Sequence, residues 1–284
     1  VQGSEQVPPK PHGDFAEIGD AGMKLGLITA CYVYELSGYD GSTPWGIAEG
    51  RFRESWSPEK LDDLLRRIKA LGFDYVELWR ATAGFEEWTE EQVAAVRESL
   101  DRHEVSLAAY CVGGITPESD VEGLYAYARK LGAPLCTGSL SNQQTEALAA
   151  KLAEAGDKYG LAYGIENHGR EHTVSLPEDV LALAQQYPGR IGACPDTGMF
   201  FDDGMDALAA IKALHNVTVH THLKDVDDSG SCALGEGKVP LAEIVSALRG
   251  AGYSGVYSVE REGGGDPAPL LARSREFLAR ALSG

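Results

Sequence analysis

No stretch of the 284 residues approaches the roughly 20 consecutive apolar positions that a bilayer-spanning helix requires. The polar, proline-rich residues 1–14 also lack the apolar core of a signal peptide. The chain begins at Val1, a start that fits processing, an expression remnant or trimming, so a cytoplasmic protein and a processed exported form are both open. Basic side chains are few: 25 Lys and Arg stand against 43 Asp and Glu, a formal net charge of -18. A surface of that sign repels phosphate backbones and anionic lipid, which argues against nucleic acid or a membrane as partner and favours a small molecule. Cysteine is scattered over Cys31, Cys111, Cys136, Cys194 and Cys232, without a CxxC pair or the density of a disulfide framework, so buried free thiols are expected. Nucleotide-fold signatures are missing as well. Residues 27–35 read LITACYVYE where a GxGxxG turn would stand, and neither GxxxxGKS nor GxxxxGKT occurs.

What is present is a rhythm. Apolar runs of strand length, at 24–33, 74–79, 105–111, 134–137, 161–166, 191–195, 217–223 and 255–260, alternate with helical patterns at 58–70, 90–102, 117–130, 142–159, 176–186, 205–213, 241–249 and 267–282. Eight βα units favour closure into a (β/α)8 TIM barrel of α/β class, as a single domain, over an open doubly wound sheet. The expected division is an N-terminal tail over 1–22 and the barrel over 23–284. Local chemistry supports the helices: Leu61, Leu64, Leu65, Ile68 and Leu71 recur at helical spacing. Ser57 with Pro58 and Thr116 with Pro117 read as N-cap plus first helical residue, and Thr89 with Gln92 has capping-box spacing. Gly72, Gly132 and Gly160 stand where helices end. The long segment 35–57, with Tyr39, Trp45, Phe52 and Trp56, follows the first strand at the face where barrels bind ligands. It either covers the pocket or packs against the scaffold.

Four late strands end in residues able to hold a metal: Glu166 in YGIENHG, Asp196 in CPDTGMF, His222 in HTHLKD and Glu260 in YSVERE. Three carboxylates and an imidazole converging on one mouth form a four-ligand cage for one divalent ion. The oxygen-rich set suits Mn2+ foremost, with Mg2+, Co2+ or Zn2+ as alternatives. The other reading is a hydrogen-bonded acidic cluster closing the barrel top, which would repel itself unless protonated or neutralised by a cation. His220, one layer below His222, either orients a ligand or is a packed structural histidine.

These residues sit in a chain that resembles the xylose isomerase-like TIM-barrel superfamily, within its sugar phosphate isomerase/epimerase group, over about 24–282. The resemblance is carried by LGFDYVELW at 71–79, GIENHG, PDTG, HLKD, LGEGKVP at 234–240 and GYSGVYSVE before Glu260. It implies Glu166, Asp196, His222 and Glu260 as metal ligands, with Glu166 and Glu260 doubling as the acid-base pair. Three departures matter. Met199 stands where many relatives carry a histidine, which disfavours a multinuclear site. Glu77, Val112 and the lack of a DxH pair in 224–232 disfavour the endonuclease-like branch. Asp228 replaces the arginine that helps hold a ketose in epimerase-like members.

The implied chemistry is proton abstraction from a sugar or related polyhydroxylated carbonyl substrate, through an enediolate, by Glu166 and Glu260. Isomerisation and epimerisation share that first step with β-elimination, so a lyase or dehydratase acting on a keto-sugar or inosose is the alternative. A non-catalytic sugar-binding barrel is a lower one. Lys224, His168 and Glu77 are candidate substrate contacts, and Lys238, Arg170 and His172 weaker ones. For Lys224 the competing reading is a salt bridge and for His168 a solvated surface; Glu77 either binds substrate or steadies the pocket, with an internal salt bridge as the competing reading. A homo-oligomer is compatible with the sequence.

Overall fold

The computed structural model describes residues 23–283; the expected tail over 1–22 lies outside them. Ten strands are present among these residues: β1 Leu25–Ile28, β2 Tyr75–Trp79, β3 Ser106–Ile115, β4 Leu135–Leu140, β5 Ala162–Glu166, β6 Ile191–Cys194, β7 Thr221–Leu223, β8 Asp225–Asp227, β9 Gly230–Cys232 and β10 Tyr257–Val259. Eight of them form one parallel sheet in the order β6-β5-β4-β3-β2-β1-β10-β7. The remaining seam, between β6 and β7, is joined by parallel bridges from Ala193 to Thr218 and from Asp196 to His222. The sheet is therefore a nearly closed barrel, ringed by the helices that follow its strands. β8 and β9 form a separate antiparallel hairpin after β7.

The apolar stripe of the helix Pro58–Ala70 buries Leu61, Leu64, Leu65 and Ile68, and Ser57 caps it by accepting the Lys60 N–H. Thr89 and Gln92 form the expected capping box on Glu90–Arg102. Residues 116–120 differ from expectation. Thr116 N–H donates to Ser119 Oγ at 2.9 Å, a local turn that competes with helix. The helix starts instead at Val121, where Asp120 accepts the Gly123 N–H.

The first strand is also shorter than its apolar run. After Ile28 the chain coils into a 3-10 turn, Thr29–Tyr32, and the short helix Val33–Ser37. The Thr29 hydroxyl, not its backbone, accepts the Trp79 N–H at 2.9 Å. Inside 35–57, the helix Trp45–Ser55 packs its aromatics on the scaffold. Phe52 is fully buried between Trp56 and Trp79, with ring centroids 4.9 and 5.9 Å away, and Trp45 meets Trp79 at 5.5 Å.

The barrel interior is filled by small groups where strands approach closely. A Cβ on Gly192 would stand 2.6 Å from Val219 Cγ1 and 2.7 Å from the Val217 carbonyl, so the β6 backbone can reach the seam only without one.

Candidate active site

The C-terminal ends of the late strands meet at one level. Glu166 is the last residue of β5, His222 the middle residue of β7, Glu260 follows β10, and Asp196 caps the helix Thr197–Asp202 just after β6. Backbone bonds align them: His222 N–H donates to the Pro195 carbonyl at 3.0 Å, and Glu260 N–H to the Leu223 carbonyl at 2.9 Å.

His222 is central. Its Nδ1 lies 2.9 Å from Glu166 Oε1 and 3.1 Å from Glu260 Oε2. The three buried residues offer ligand atoms within 4.8 Å of one another. Glu260 Oε2 is itself buried without a hydrogen-bond partner. An anionic oxygen out of water with only one imidazole nitrogen near it, at 3.1 Å, is costly unless a cation is added. Two carboxylates and an imidazole with such an oxygen between them fit a divalent cation of the hard to borderline kind.

Behind the imidazole, His222 Nε2 donates to Glu77 Oε2 at 2.7 Å, His220 Nε2 donates to the same oxygen at 2.9 Å, and Thr137 Oγ1 donates to Glu77 Oε1. A carboxylate at Nε2 selects the tautomer that leaves Nδ1 free to face the mouth. Burial would raise the Glu77 carboxyl, but the His222 and His220 imidazoles outweigh it and hold it well below the usual carboxylate range. Burial likewise opposes charge on His222. The Cys194 sulfur and the Glu77, Glu260 and Glu166 carboxylates around it overcome that and raise its proton affinity well above that of free imidazole. A proton on Nδ1 and a metal ion are thus alternative ways to neutralise the same oxygens.

Asp196 stands at the same level but outside that trio. Its Oδ1 accepts the Gly198 and Met199 N–H groups at 2.8 and 3.1 Å, and its Oδ2 accepts Lys224 Nζ at 3.0 Å. Lys224 is fully buried, 3.2 Å from Glu262 Oε2 and 3.6 Å from Glu260 Oε1. Burial disfavours its charge, yet Asp196, Glu260 and Glu262 keep its pKa well above the usual lysine value. Burial raises the Asp196 and Glu262 carboxyls against the pull of that ammonium.

Of the candidate substrate contacts, Lys224 is in the mouth, and Glu77 has no exposed surface, its carboxylate shared by Thr137 and two imidazoles. His168, Arg170 and His172 lie exposed on the rim after β5. Lys238 pairs with Asp228 at the surface. Asn167, directly after Glu166, carries no metal-ligand or acid-base signal in the sequence. Its Nδ2 donates to the Asp196 carbonyl at 3.0 Å and its Oδ1 accepts the Asp196 N–H at 2.7 Å, so the β5 end grips the residue that ends the β6 crossing. All five cysteines are free, and burial pushes the Cys31 and Cys194 thiols up to about 12, which leaves them unreactive near neutral pH.

A profile of the family described as a xylose isomerase-like TIM barrel matches residues 65–281. Among solved structures, that of L-ribulose 3-epimerase superposes with a TM-score of 0.71 at 17% identity, over 92% of this chain and 95% of that one. A probable 3-DHS dehydratase involved in petrobactin synthesis from Bacillus anthracis superposes at 0.67 and 16% identity, over 90% and 99%. Both are likenesses of fold. An uncharacterized protein of Methanocaldococcus jannaschii is 26% identical over 145 residues, 47% of this chain, and the match spans 46% of that relative's length.

Proposed function

Since the chain belongs to the xylose isomerase-like TIM-barrel family, we propose that it is a divalent-metal-dependent isomerase or epimerase of a sugar or related polyhydroxylated carbonyl compound. In this reading Glu166, Asp196, His222 and Glu260 hold one ion, Mn2+ foremost, and Glu166 and Glu260 are the acid-base pair. The observation that supports it is the buried Glu260 Oε2, which makes no well-formed hydrogen bond and lies 3.1 Å from His222 Nδ1, with Glu166 on the other side of that nitrogen.

A divalent ion held there would supply Lewis acidity to adjacent carbonyl and hydroxyl oxygens, acidifying the carbon-bound proton between them. Glu166 and Glu260 reach the mouth from strands separated by β6 and β7, so they approach a bound carbon from different directions. One carboxylate removes the proton. Return by the other to the opposite face gives epimerisation, and return to the neighbouring carbon gives isomerisation. Glu77 orients His222, Lys224 holds its charge beside Asp196 and Glu260 at the mouth, and His168 contacts the substrate from the rim. L-ribulose 3-epimerase, a protein of like fold, carries an activity of this type in its name.

β-Elimination is a second reading because Asp228, 92% exposed at its side chain and paired with Lys238, stands where the resemblance leads one to expect an arginine that holds a ketose. The test is turnover of a ketose panel before and after chelation. Loss on chelation and recovery with Mn2+ support the proposal, full activity in metal-free protein overturns it, and an unsaturated product assigns elimination.

A further inference from the structure

Two motifs at the mouth, PDTG at 195–198 and HLKD at 222–225, contain residues with no part in the proton-transfer scheme. The fold brings them together. Thr197 Oγ1 donates to the Lys224 carbonyl at 2.8 Å and accepts the Lys224 N–H at 2.9 Å, a two-point grip on one residue's backbone. Gly198 leaves the lane for its side chain: a Cβ there would stand 2.6 Å from Lys224 Cδ and 2.7 Å from Cγ. The ammonium so delivered is 1% exposed and meets Asp196 Oδ2, Glu262 Oε2 and Glu260 Oε1 at 3.0, 3.2 and 3.6 Å. A lysine is rarely buried unless paired. Two of its three partners belong to the proposed metal quartet.

We infer that Lys224 is a built-in counter-cation that competes with the divalent metal for Asp196, with Thr197 and Gly198 as the residues that position it. The inference rests on the metal-site reading of the mouth and adds a cost of loading to it. Before metal arrives, the ammonium neutralises carboxylates that would otherwise repel one another. A divalent ion that takes Asp196 Oδ2 displaces the ammonium, which stays paired with Glu262. The metal is therefore held less tightly than four ligands alone would hold it.

Calorimetric titration of chelator-stripped protein with Mn2+ tests this directly. Lys224→Met keeps the stem and removes the charge, and it is expected to bind Mn2+ at least about tenfold more tightly, a fraction of the interaction of one close charge pair. In an Asp196→Asn background the same change is expected to yield at most about a twofold gain, because the contested oxygen is no longer charged. Unchanged or weaker binding in Lys224→Met, or an equal gain in the Asp196→Asn background, overturns the inference while leaving the metal reading standing. Wild-type protein that binds no Mn2+ overturns both. Should Lys224→Met fail to fold without metal, a Mn2+-loaded wild-type crystal decides. Lys224 Nζ is expected beyond about 4 Å from Asp196 Oδ2, outside ion-pair range, and persistence of the present contact with Mn2+ bound overturns the inference.

Discussion

Glu77→Gln isolates the support behind the mouth from the mouth itself. The carboxylate is fully buried and receives His220 Nε2 at 2.9 Å, His222 Nε2 at 2.7 Å and Thr137 Oγ1. Glutamine preserves the shape but has one acceptor oxygen, so its amide NH2 meets at least one donor that the carboxylate used to satisfy. Hydrogen bonds to a charged group contribute about 1.5–3 kcal/mol each against about 1 for neutral ones. Weakening two of them therefore costs on the order of 3 kcal/mol, visible in urea denaturation of chelated protein yet within the stability of an ordinary domain. The same change frees the His222 ring to rotate or to carry its proton on Nδ1. Loss of a carboxylate behind a ligating histidine lowers metal affinity by about 10–100-fold. Calorimetry with Mn2+ beside the urea curve reads both effects. If stability falls while Mn2+ affinity stays within about twofold of wild type, Glu77 does not orient His222, and the reasoning from the Nε2 contact is wrong.

Gly192→Ala drives a methyl against Val219 and the Val217 carbonyl at the β6–β7 seam, and overpacking of this kind is expected to cost about 1–3 kcal/mol by urea denaturation. Phe52→Ala removes a fully buried ring between Trp56 and Trp79, with an expected loss of about 3–5 kcal/mol in the same assay; a loss near zero would mean that the segment does not pack on the scaffold. Asp62 is held below its ordinary pKa first by the Ser99 hydroxyl, then by His103 and Arg102. A depressed carboxyl contributes stability above the unfolded-state pKa and loses it as pH falls through the folded one. Asp62→Asn is expected to cost about 1 kcal/mol or less at neutral pH, given its partial exposure, and to flatten the acid limb of the stability profile below about pH 4.

The barrel is readable from the sequence because βα alternation and capping are local signals. Ser57, Thr89, Gly132 and Gly160 end or begin helices where their chemistry says they should. Thr116 with Pro117 carries the same local signal, but Ser119 offers the Thr116 N–H a competing partner three residues further on. The residues 29–33 are β-branched and aromatic enough for a strand, and the fold coils them because the Thr29 side chain completes the ladder to β2. At the mouth, strand-end position draws attention to Glu166, Asp196, His222 and Glu260, of which the structure groups Glu166, His222 and Glu260 and pairs Asp196 with Lys224. What position does not reveal is partnership across sequence separation. The Glu77 contact with His222 spans 145 positions and the Asn167 grip on Asp196 spans 29, and neither leaves a pattern in the intervening residues. The engagement of Asp196 by Lys224 is hidden for the same reason.

In the proposed function, Glu166 and Glu260 move a carbon-bound proton beside a divalent ion. Solvent deuterium exchange into a ketose, followed by NMR with Mn2+-loaded wild type, Glu166→Gln and Glu260→Gln, tests it most directly. The expected result is exchange at the carbon next to the carbonyl in wild type, and loss of at least about 100-fold in either variant, the lower end of what a positioned acid-base group contributes. Exchange that continues at the wild-type rate in both variants would contradict the assignment of these two carboxylates as the acid-base pair.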